Sequence, residues 1–366
     1  MARITVVISQ GQSANPDKRG LEEGLVGALL MESGVEVTVI PHLYDLGPGS
    51  TGMLCLEGIT GDMIVASWLF PRAAHWTLDR GGIKGHMGQT LLATEADDED
   101  DFDEDESDEA EAEAGDDKQH VGGRNLPNRT IYHLRLAAHN SPEPFVAEIK
   151  RIMSEATVQT VDLMSWIGGS PKPEQLERYL NPRKMNGQVV GAVANAKPPA
   201  SPSDGDGKPA EPIRVAETPA RRWYPVIDYS RCTNCMECID FCLFGVYGVD
   251  GAETILVEQP DNCRKGCPAC SRVCPENAII FPQHKAPAIA GSALENAGGL
   301  KIDLSQLFGA PSAIEIAAQE RDVELVAVGR DAVGLSVGIP KRQADKPQEP
   351  KDDLDKLMDQ LDDLDL

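Results

Sequence analysis

The sequence predicts an α/β domain over residues 1–168, with helices on both faces of a parallel sheet, followed by a small cysteine-rich domain over residues 223–285. Three observations predict this organisation. In the first part, β-branched runs typical of buried strands alternate with helical patterns of apolar residues. In the second part, eight of the nine cysteines fall within 43 residues. Long segments rich in proline and glycine, or in acidic residues, lie between and beyond these patterns, and such composition predicts linkers and disorder.

The elements of the α/β domain follow in order. The β-branched run at residues 3–9 predicts the first strand, and Asn15-Pro16 predicts the start of a helix that runs to Gly34. Asparagine is a good N-cap, and proline suits the first helical position. Further strands are predicted at residues 35–40, 62–70 and 130–138, and a further helix begins at Ser141-Pro142.

Two acidic segments lie outside these patterns. The formal net charge is −25, and residues 95–117 contain 16 acidic residues and no basic one. We therefore predict a disordered insertion at 95–120, because such a segment buries too little apolar surface to offset its ordering entropy. The tail at 341–366 is the second acidic segment. The rest of the chain is nearly neutral, which argues against nucleic-acid binding. No apolar run approaches a membrane span, so we expect a cytoplasmic protein.

The remaining segments carry weaker signals. Residues 169–222 are rich in proline, glycine and small residues and predict a flexible linker, in which only 173–180 has a helical pattern. Residues 286–340 form a C-terminal extension with short apolar pieces of helix or strand at 303–308, 312–319 and 323–328.

The eight clustered cysteines occur in two blocks. Residues 232–242 have the spacing C-x2-C-x2-C-x3-C, and residues 263–275 have C-x3-C-x2-C-x3-C-P. A cubane iron–sulfur cluster needs several thiolates from one tight loop and one from elsewhere. Structural zinc is an alternative, although each block supplies thiolates at closer spacing than separated zinc ligand pairs. A disulfide framework would need an oxidising compartment, and the N-terminus shows no secretion signal. The ninth cysteine, Cys55, is expected to be a free thiol.

Residues 223–285, which contain these two blocks, resemble the bacterial two-cluster ferredoxins. The resemblance implies a small α+β ferredoxin-like fold, two [4Fe–4S] clusters and redox proteins as partners. It also implies that the fourth cysteine of each block serves the other cluster. The implied ligands are Cys232, Cys235, Cys238 and Cys274 for cluster one, and Cys263, Cys267, Cys270 and Cys242 for cluster two.

The sequence departs from the family pattern near cluster two. Leu243 replaces the usual proline after the first block, and three residues instead of two separate Cys263 from Cys267. Gly266 can adopt a positive φ, which would let the longer loop curl around a cluster. Arg264 and Lys265 would place positive charge there, so we expect a higher reduction potential for cluster two than for cluster one.

The α/β domain resembles the class II tetrapyrrole chelatases over residues 7–16 and 69–75. This resemblance implies metal-handling histidines after two of the strands. His75 matches the second position, whereas Gln10 stands where the first histidine is expected. The change argues against metal insertion, because neutral imidazole binds the incoming ion. The simpler interpretation of His75 is a polar residue at the mouth of a helix or loop.

The tail has a helical pattern of apolar residues at positions 354, 357, 358, 361 and 364 and resembles an LD-type docking motif. Residues 352–366 could therefore bind a partner's groove as an amphipathic helix, or serve only as an acidic solubilising tail or a helix packed on the chain itself. For the whole chain we expect electron transfer through two clusters. The alternatives are a redox-linked enzyme with a chelatase-like N-terminal domain and a scaffold in which the clusters are structural.

Overall fold

The structure is a computed structural model and describes residues 4–92, 120–122, 126–156, 211–292 and 311–338. The strands are β1 Ile4–Ser9, β2 Val35–Ile40, β3 Met63–Ser67, β4 His86–Met87, β5 Thr130–Arg135, β6 Ile213–Arg214, β7 Val226–Ile227, β8 Tyr247–Val249, β9 Ile255–Val257 and β10 Ile279–Ile280. The helices are α1 Pro16–Leu30, α2 Thr51–Glu57, α3 Pro71–Arg80, α4 Glu143–Ala156, α5 Glu237–Phe241, α6 Ala269–Val273, α7 Pro287–Ala290 and α8 Ala313–Ala327.

The described residues divide into two compact units. The α/β unit comprises residues 4–92, 126–156, 211–222 and 285–292. The cysteine-rich unit comprises residues 120–122, 223–284 and 311–338. Neither unit contains a described helix long and apolar enough to span a bilayer.

The α/β unit is built on a six-stranded sheet in the order β4-β5-β3-β1-β2-β6, with every neighbouring pair parallel. Helices α1 and α4 cover one face, where Leu25, Phe145 and Ile149 pack in one apolar core with Val6 and Ile8 of β1. Helix α3 covers the opposite face, because its side chains meet those of β5 that alternate with the core residues. The predicted parallel sheet with helices is therefore present.

The predicted strands and helices of this unit are found, β2 with the predicted bounds and β3 and β5 with later starts or earlier ends. Helix α1 begins as predicted, with the Asn15 side chain accepting a hydrogen bond from the N–H of Asp17 and proline at the first position. It ends at Leu30, short of Gly34. Helices α2 and α3 and the two-residue strands β4 and β6 were not predicted.

The end of the predicted linker contains regular structure. Residues 211–222 of the segment assigned to a linker at 169–222 belong to the α/β unit, where Ile213–Arg214 pair with Thr38 and Val39 of β2. Arg214 also forms a bidentate ion pair with Glu23, with nitrogen–oxygen distances of 2.8 and 2.6 Å. An isoleucine–arginine pair has no alternating pattern, so its pairing could not be seen in the sequence. The rest of this segment, the acidic insertion except for His120, and the tail lie outside the described residues.

The cysteine-rich unit consists of short helices and two antiparallel strand pairs, β7 with β10 and β8 with β9. Helix α5 contains Cys238, the third cysteine of the first block, and α6 contains Cys270, the third cysteine of the second block. Helix α8, from the predicted extension, packs on α6, so the extension is in part a component of this unit. The separate pieces predicted at 312–319 and 323–328 form this single helix.

Candidate iron–sulfur site

The first set of cysteines gathers residues from both blocks. The pKa of the Cys232 thiol is raised to about 11, chiefly by burial and also by Cys274 and Cys235. Burial raises the pKa of Cys238 well above its ordinary value, and Cys274, Cys235 and Cys232 add to the effect. One thiolate raises the pKa of another thiol only when the two are close, because the repulsion between their charges falls with distance. Cys232, Cys235, Cys238 and Cys274 therefore lie together, and we call them set one.

The other four cysteines of the two blocks line a single small cavity. Burial raises the pKa of Cys270 well above its ordinary value, and Cys242, Cys263 and Cys267 act in the same direction. The same cavity is lined by Phe241, Phe244 and Tyr247 and by two arginines. Cys242, Cys263, Cys267 and Cys270 are set two. The structure thus brings together both groups of four that the ferredoxin resemblance implied.

The loop of set one is shaped by two residues with positive φ, Asn234 at 57° and Met236 at 64°. The Asn234 N–H points to the Cys232 sulfur at 3.4 Å. The Asn234 side chain accepts from the N–H of Ile255 at 2.9 Å and donates to the carbonyl of Glu253 at 2.7 Å. Such a loop turns backbone N–H groups inward, where they favour a negatively charged group.

The last cysteine of each block is delivered at the end of a short helix. Cys242 follows α5 and Cys274 follows α6, and both have extended backbone there. The N–H of Ala278 donates to the Cys274 sulfur at 3.3 Å. Burial raises the pKa of Cys242, while the backbone N–H groups of Phe244 and Val246 and the charge of Arg321 act in the opposite direction. These helix ends explain how one block contributes to the other block's set.

The longer loop of set two has the glycine conformation that the sequence predicted. Gly266 has a φ of 93°, and no heavy atom lies within 4 Å of the position that a Cβ would take. The extra residue between Cys263 and Cys267 is thus accommodated by backbone that L residues rarely adopt. Of the two predicted cations, Arg264 lines the cavity and Lys265 is exposed.

Tyr247 is a buried residue of the site that spacing did not reveal. Its hydroxyl donates to the Cys270 sulfur at 3.0 Å. Burial raises its pKa well above the ordinary value, and Cys270, Cys238 and Cys242 add to the effect. Because Cys238 belongs to set one and the other two belong to set two, the phenol ring lies near both sets.

His75, the second histidine position of the chelatase resemblance, contacts another histidine of the α/β unit. It lies on α3, is buried, and its Nδ1 is 3.1 Å from Nε2 of His133 at the centre of β5. Burial lowers the pKa of His133 well below its ordinary value, and His75 lowers it further. The imidazole of His75 therefore faces the sheet instead of the carboxyl ends of the strands. Gln10 directly follows β1.

The donor chemistry of the two sets fits iron–sulfur clusters. Among the described residues, no three histidine, cysteine or carboxylate side chains converge tightly enough to share one metal ion. A cubane spreads its thiolates over separate iron atoms, so it accepts sulfurs that are further apart than the ligands of one ion. The positive iron core would also offset the cost of burying four thiolates together.

Comparison with known proteins gives one informative likeness. The chain is 52% identical over 66 residues to an uncharacterized ferredoxin of Methanocaldococcus jannaschii. The match covers 18% of this chain and 44% of that relative, so the chain spans less than half the length of the curated relative it matches. No protein-family model matches, and no solved structure was found to be similar. A segment of this chain is therefore ferredoxin-like.

Proposed function

We propose that the ferredoxin-like segment is the part with the two cysteine blocks and that it transfers electrons through two [4Fe–4S] clusters. Set one would hold cluster one, and set two would hold cluster two. The observation that carries the proposal is the gathering of eight thiols into two sets of four, each with three members from one block and one from the other. This exchange is the arrangement of two-cluster ferredoxins.

Each cluster, when bound, supplies a centre that accepts one electron from a reduced donor protein and passes it to an oxidised acceptor protein. The chain's own groups would position and tune these centres. The N–H groups of Asn234 and Ala278 and the hydroxyl of Tyr247 donate to cysteine sulfurs and stabilise added negative charge there. The buried ring of Tyr247 keeps water out of the space near both sets.

The two acidic segments support redox proteins with basic surfaces as the partners. Residues 95–117 and the tail at 352–366 would attract basic surfaces of redox proteins, and this attraction should weaken as salt increases. Docking of the tail into a partner's groove belongs to the same proposal. The chelatase-like alternative has less support, because His75 contacts His133 inside the α/β unit.

Metal and sulfide analysis of the anaerobically purified full chain tests the proposal. Two cubanes would give roughly eight iron and eight sulfide per chain, with EPR signals that appear on reduction and vanish on reoxidation. Cys235→Ser and Cys263→Ser should each remove one cluster. Cys55→Ser is the matched control, because Cys55 lies in α2 of the α/β unit and should leave both clusters intact.

Three results would contradict the proposal in different ways. Zinc without sulfide would indicate structural zinc sites. Iron and sulfide that cannot be reduced and reoxidised would indicate a scaffold role. Loss of both clusters in Cys55→Ser would show that the metal site was assigned to the wrong cysteines.

A further inference from the structure

The cavity of set two contains a cation from a distant part of the chain. Arg321 of α8 lines this cavity together with Cys242, Cys263, Cys267 and Cys270. It is 1% exposed, which makes it the largest fully buried side chain among the described residues. A buried charge is costly unless the site around it fixes and uses it.

The position of Arg321 is fixed by several contacts. Its guanidinium lies 4.5 Å from the ring centroid of Phe241, the residue before Cys242. It donates to the carbonyls of Gly334 and Val337 at 2.5 and 3.0 Å. A Cβ added at Gly338, where φ is 72°, would come within 3.0 Å of the guanidinium, so the backbone closes tightly around it.

Three acidic groups of α8 lie near Arg321. Asp322 forms an ion pair with Arg321, with 3.3 Å between Oδ1 and Nε, and its Oδ2 accepts the N–H of Gly334; it lines a groove separate from the cysteine cavity. Glu320 forms a two-pronged ion pair with Arg272 of α6 at 2.9 and 3.0 Å. Burial raises the pKa of Cys267, and the charges of Glu320 and of Glu324, also on α8, add to the effect. Arg321 is the member of this group that lines the cavity beside the cysteines, whereas Asp322 offsets part of its charge from outside the cavity lining.

From this geometry we propose that Arg321 sets the reduction potential of the cluster in set two and raises it relative to the cluster in set one. The inference rests on the proposed function, since it requires a cluster at set two. Reduction adds one negative charge to a cluster, and a fixed cation in a low-dielectric site stabilises that added charge. The helix that follows the ferredoxin-like segment would thereby determine which cluster takes an electron first.

The test is an EPR-monitored redox titration of the full chain that resolves both centres. Arg321→Met keeps much of the volume and removes the charge, so the midpoint potential of the second cluster should become more negative. The first cluster serves as the internal reference and should not move. Arg321→Lys restores a charge without the planar donor fork and should recover part of the shift. Arg330→Met is the matched control, because Arg330 lies in the same extension but is exposed and bonded to the carbonyl of Leu243.

An unchanged second potential in Arg321→Met, or an equal shift of both clusters, would overturn the inference while leaving the proposed function intact. Absence of iron–sulfur clusters in the wild-type chain would overturn the proposed function itself. Should Arg321→Met fail to assemble the second cluster, Arg321→Gln provides a second neutral variant. Loss of that cluster in both would assign Arg321 a purely structural role and so reject the tuning role.

Discussion

Asn234 joins the first cysteine loop to strand β9 through its backbone and its side chain. Its φ is positive, a conformation that asparagine tolerates better than most residues. Its amide group bonds to the backbone of Glu253 and Ile255. Cys232 and Cys235 flank it, so its position determines where their sulfurs lie.

We expect Asn234→Ala to destabilise set one by about 1–3 kcal/mol, because alanine must adopt the positive φ while the N–H of Ile255 loses its acceptor. The rate of cluster loss in denaturant, followed by visible absorbance, measures the effect. Asn234→Gly removes the same two bonds without the backbone strain, so its stability should lie between those of the wild-type and alanine proteins. Equal stability of all three would contradict the anchoring role.

The hydroxyl of Tyr247 provides a second test at the level of a single residue. Tyr247→Phe removes the donor to the Cys270 sulfur, so the potential of the second cluster should become more negative, because hydrogen bonds to sulfur stabilise the reduced state. Tyr229→Phe is the control, since that hydroxyl bonds to the carbonyl of Ile255 at 3.0 Å. A shift of equal size in both variants would show that the sulfur contact has no special effect.

The grouping of the cysteines into two sets came from the resemblance to two-cluster ferredoxins, which implies that the fourth cysteine of each block serves the other cluster. The conformation of Gly266 could be predicted from the sequence, since an enlarged loop needs unusual backbone. Tyr247 and Arg321 could not be predicted. Their key contacts lie 23 and 80 residues away along the chain, and no local pattern marks a buried phenol or guanidinium as a neighbour of a thiol.

Among the elements, α8 shows why a helix can be hard to recognise in a sequence. Its start is marked by a capping box in which Ser312 and Glu315 exchange hydrogen bonds. Val323 and Val326 are exposed, whereas Leu325 is buried together with two alanines and Arg321. The large apolar residues therefore do not form one continuous stripe on the buried side, and the sequence suggested separate pieces.

The contact between α8 and α6 depends on the small size of Ala317. This residue is fully buried in a cluster with Phe241, Ala269 and Val273. Ala317→Leu should overpack the contact, destabilise the cysteine-rich unit by about 1–3 kcal/mol and speed the loss of the second cluster. Denaturant unfolding followed by visible absorbance provides the measurement. Gln319→Leu, at an exposed position of the same helix, should leave both quantities unchanged. A similar loss in both variants would argue against a packing effect.

At the scale of the whole molecule, the His75–His133 pair makes stability depend on pH. Burial lowers the pKa of His133 in the folded state. Just below the unfolded-state pKa, the unfolded chain therefore binds a proton at His133 and the folded chain does not. Stability should therefore be full above the unfolded pKa of about 6.5 and fall as pH drops towards the folded value. One such proton gives a slope of at most about 1.4 kcal/mol per pH unit.

Urea unfolding of the full chain, followed by tryptophan fluorescence at several pH values, measures this dependence. His133→Gln should flatten the slope below pH ~6.5, because the titrating group is removed. His86→Gln, at an exposed position of β4, should keep the wild-type slope. An unchanged slope in His133→Gln would assign the pH dependence to other groups.

The parallel sheet could be predicted from the sequence because its central strands are long β-branched runs between helical patterns. The edges could not, since β4 and β6 contain two residues each and depend on hydrogen bonds to strands already in place. The predicted boundary of the first domain at residue 168 was therefore drawn before the α/β unit is complete.

The late edge strand β6 has a practical consequence for cutting the chain. Besides its pairing with β2, the segment 211–222 donates the Arg222 N–H to Asp45 at 3.0 Å and accepts the N–H of Gly52 through Glu217 at 3.0 Å. A truncated fragment that stops at residue 168 would lack these bonds and leave β2 as an unpaired edge strand, which favours aggregation. Cleavage of the backbone between residues 157 and 210 would instead leave two fragments that can still associate through these hydrogen bonds. The two halves of such a split protein, produced separately, should reassemble by adding this strand in trans.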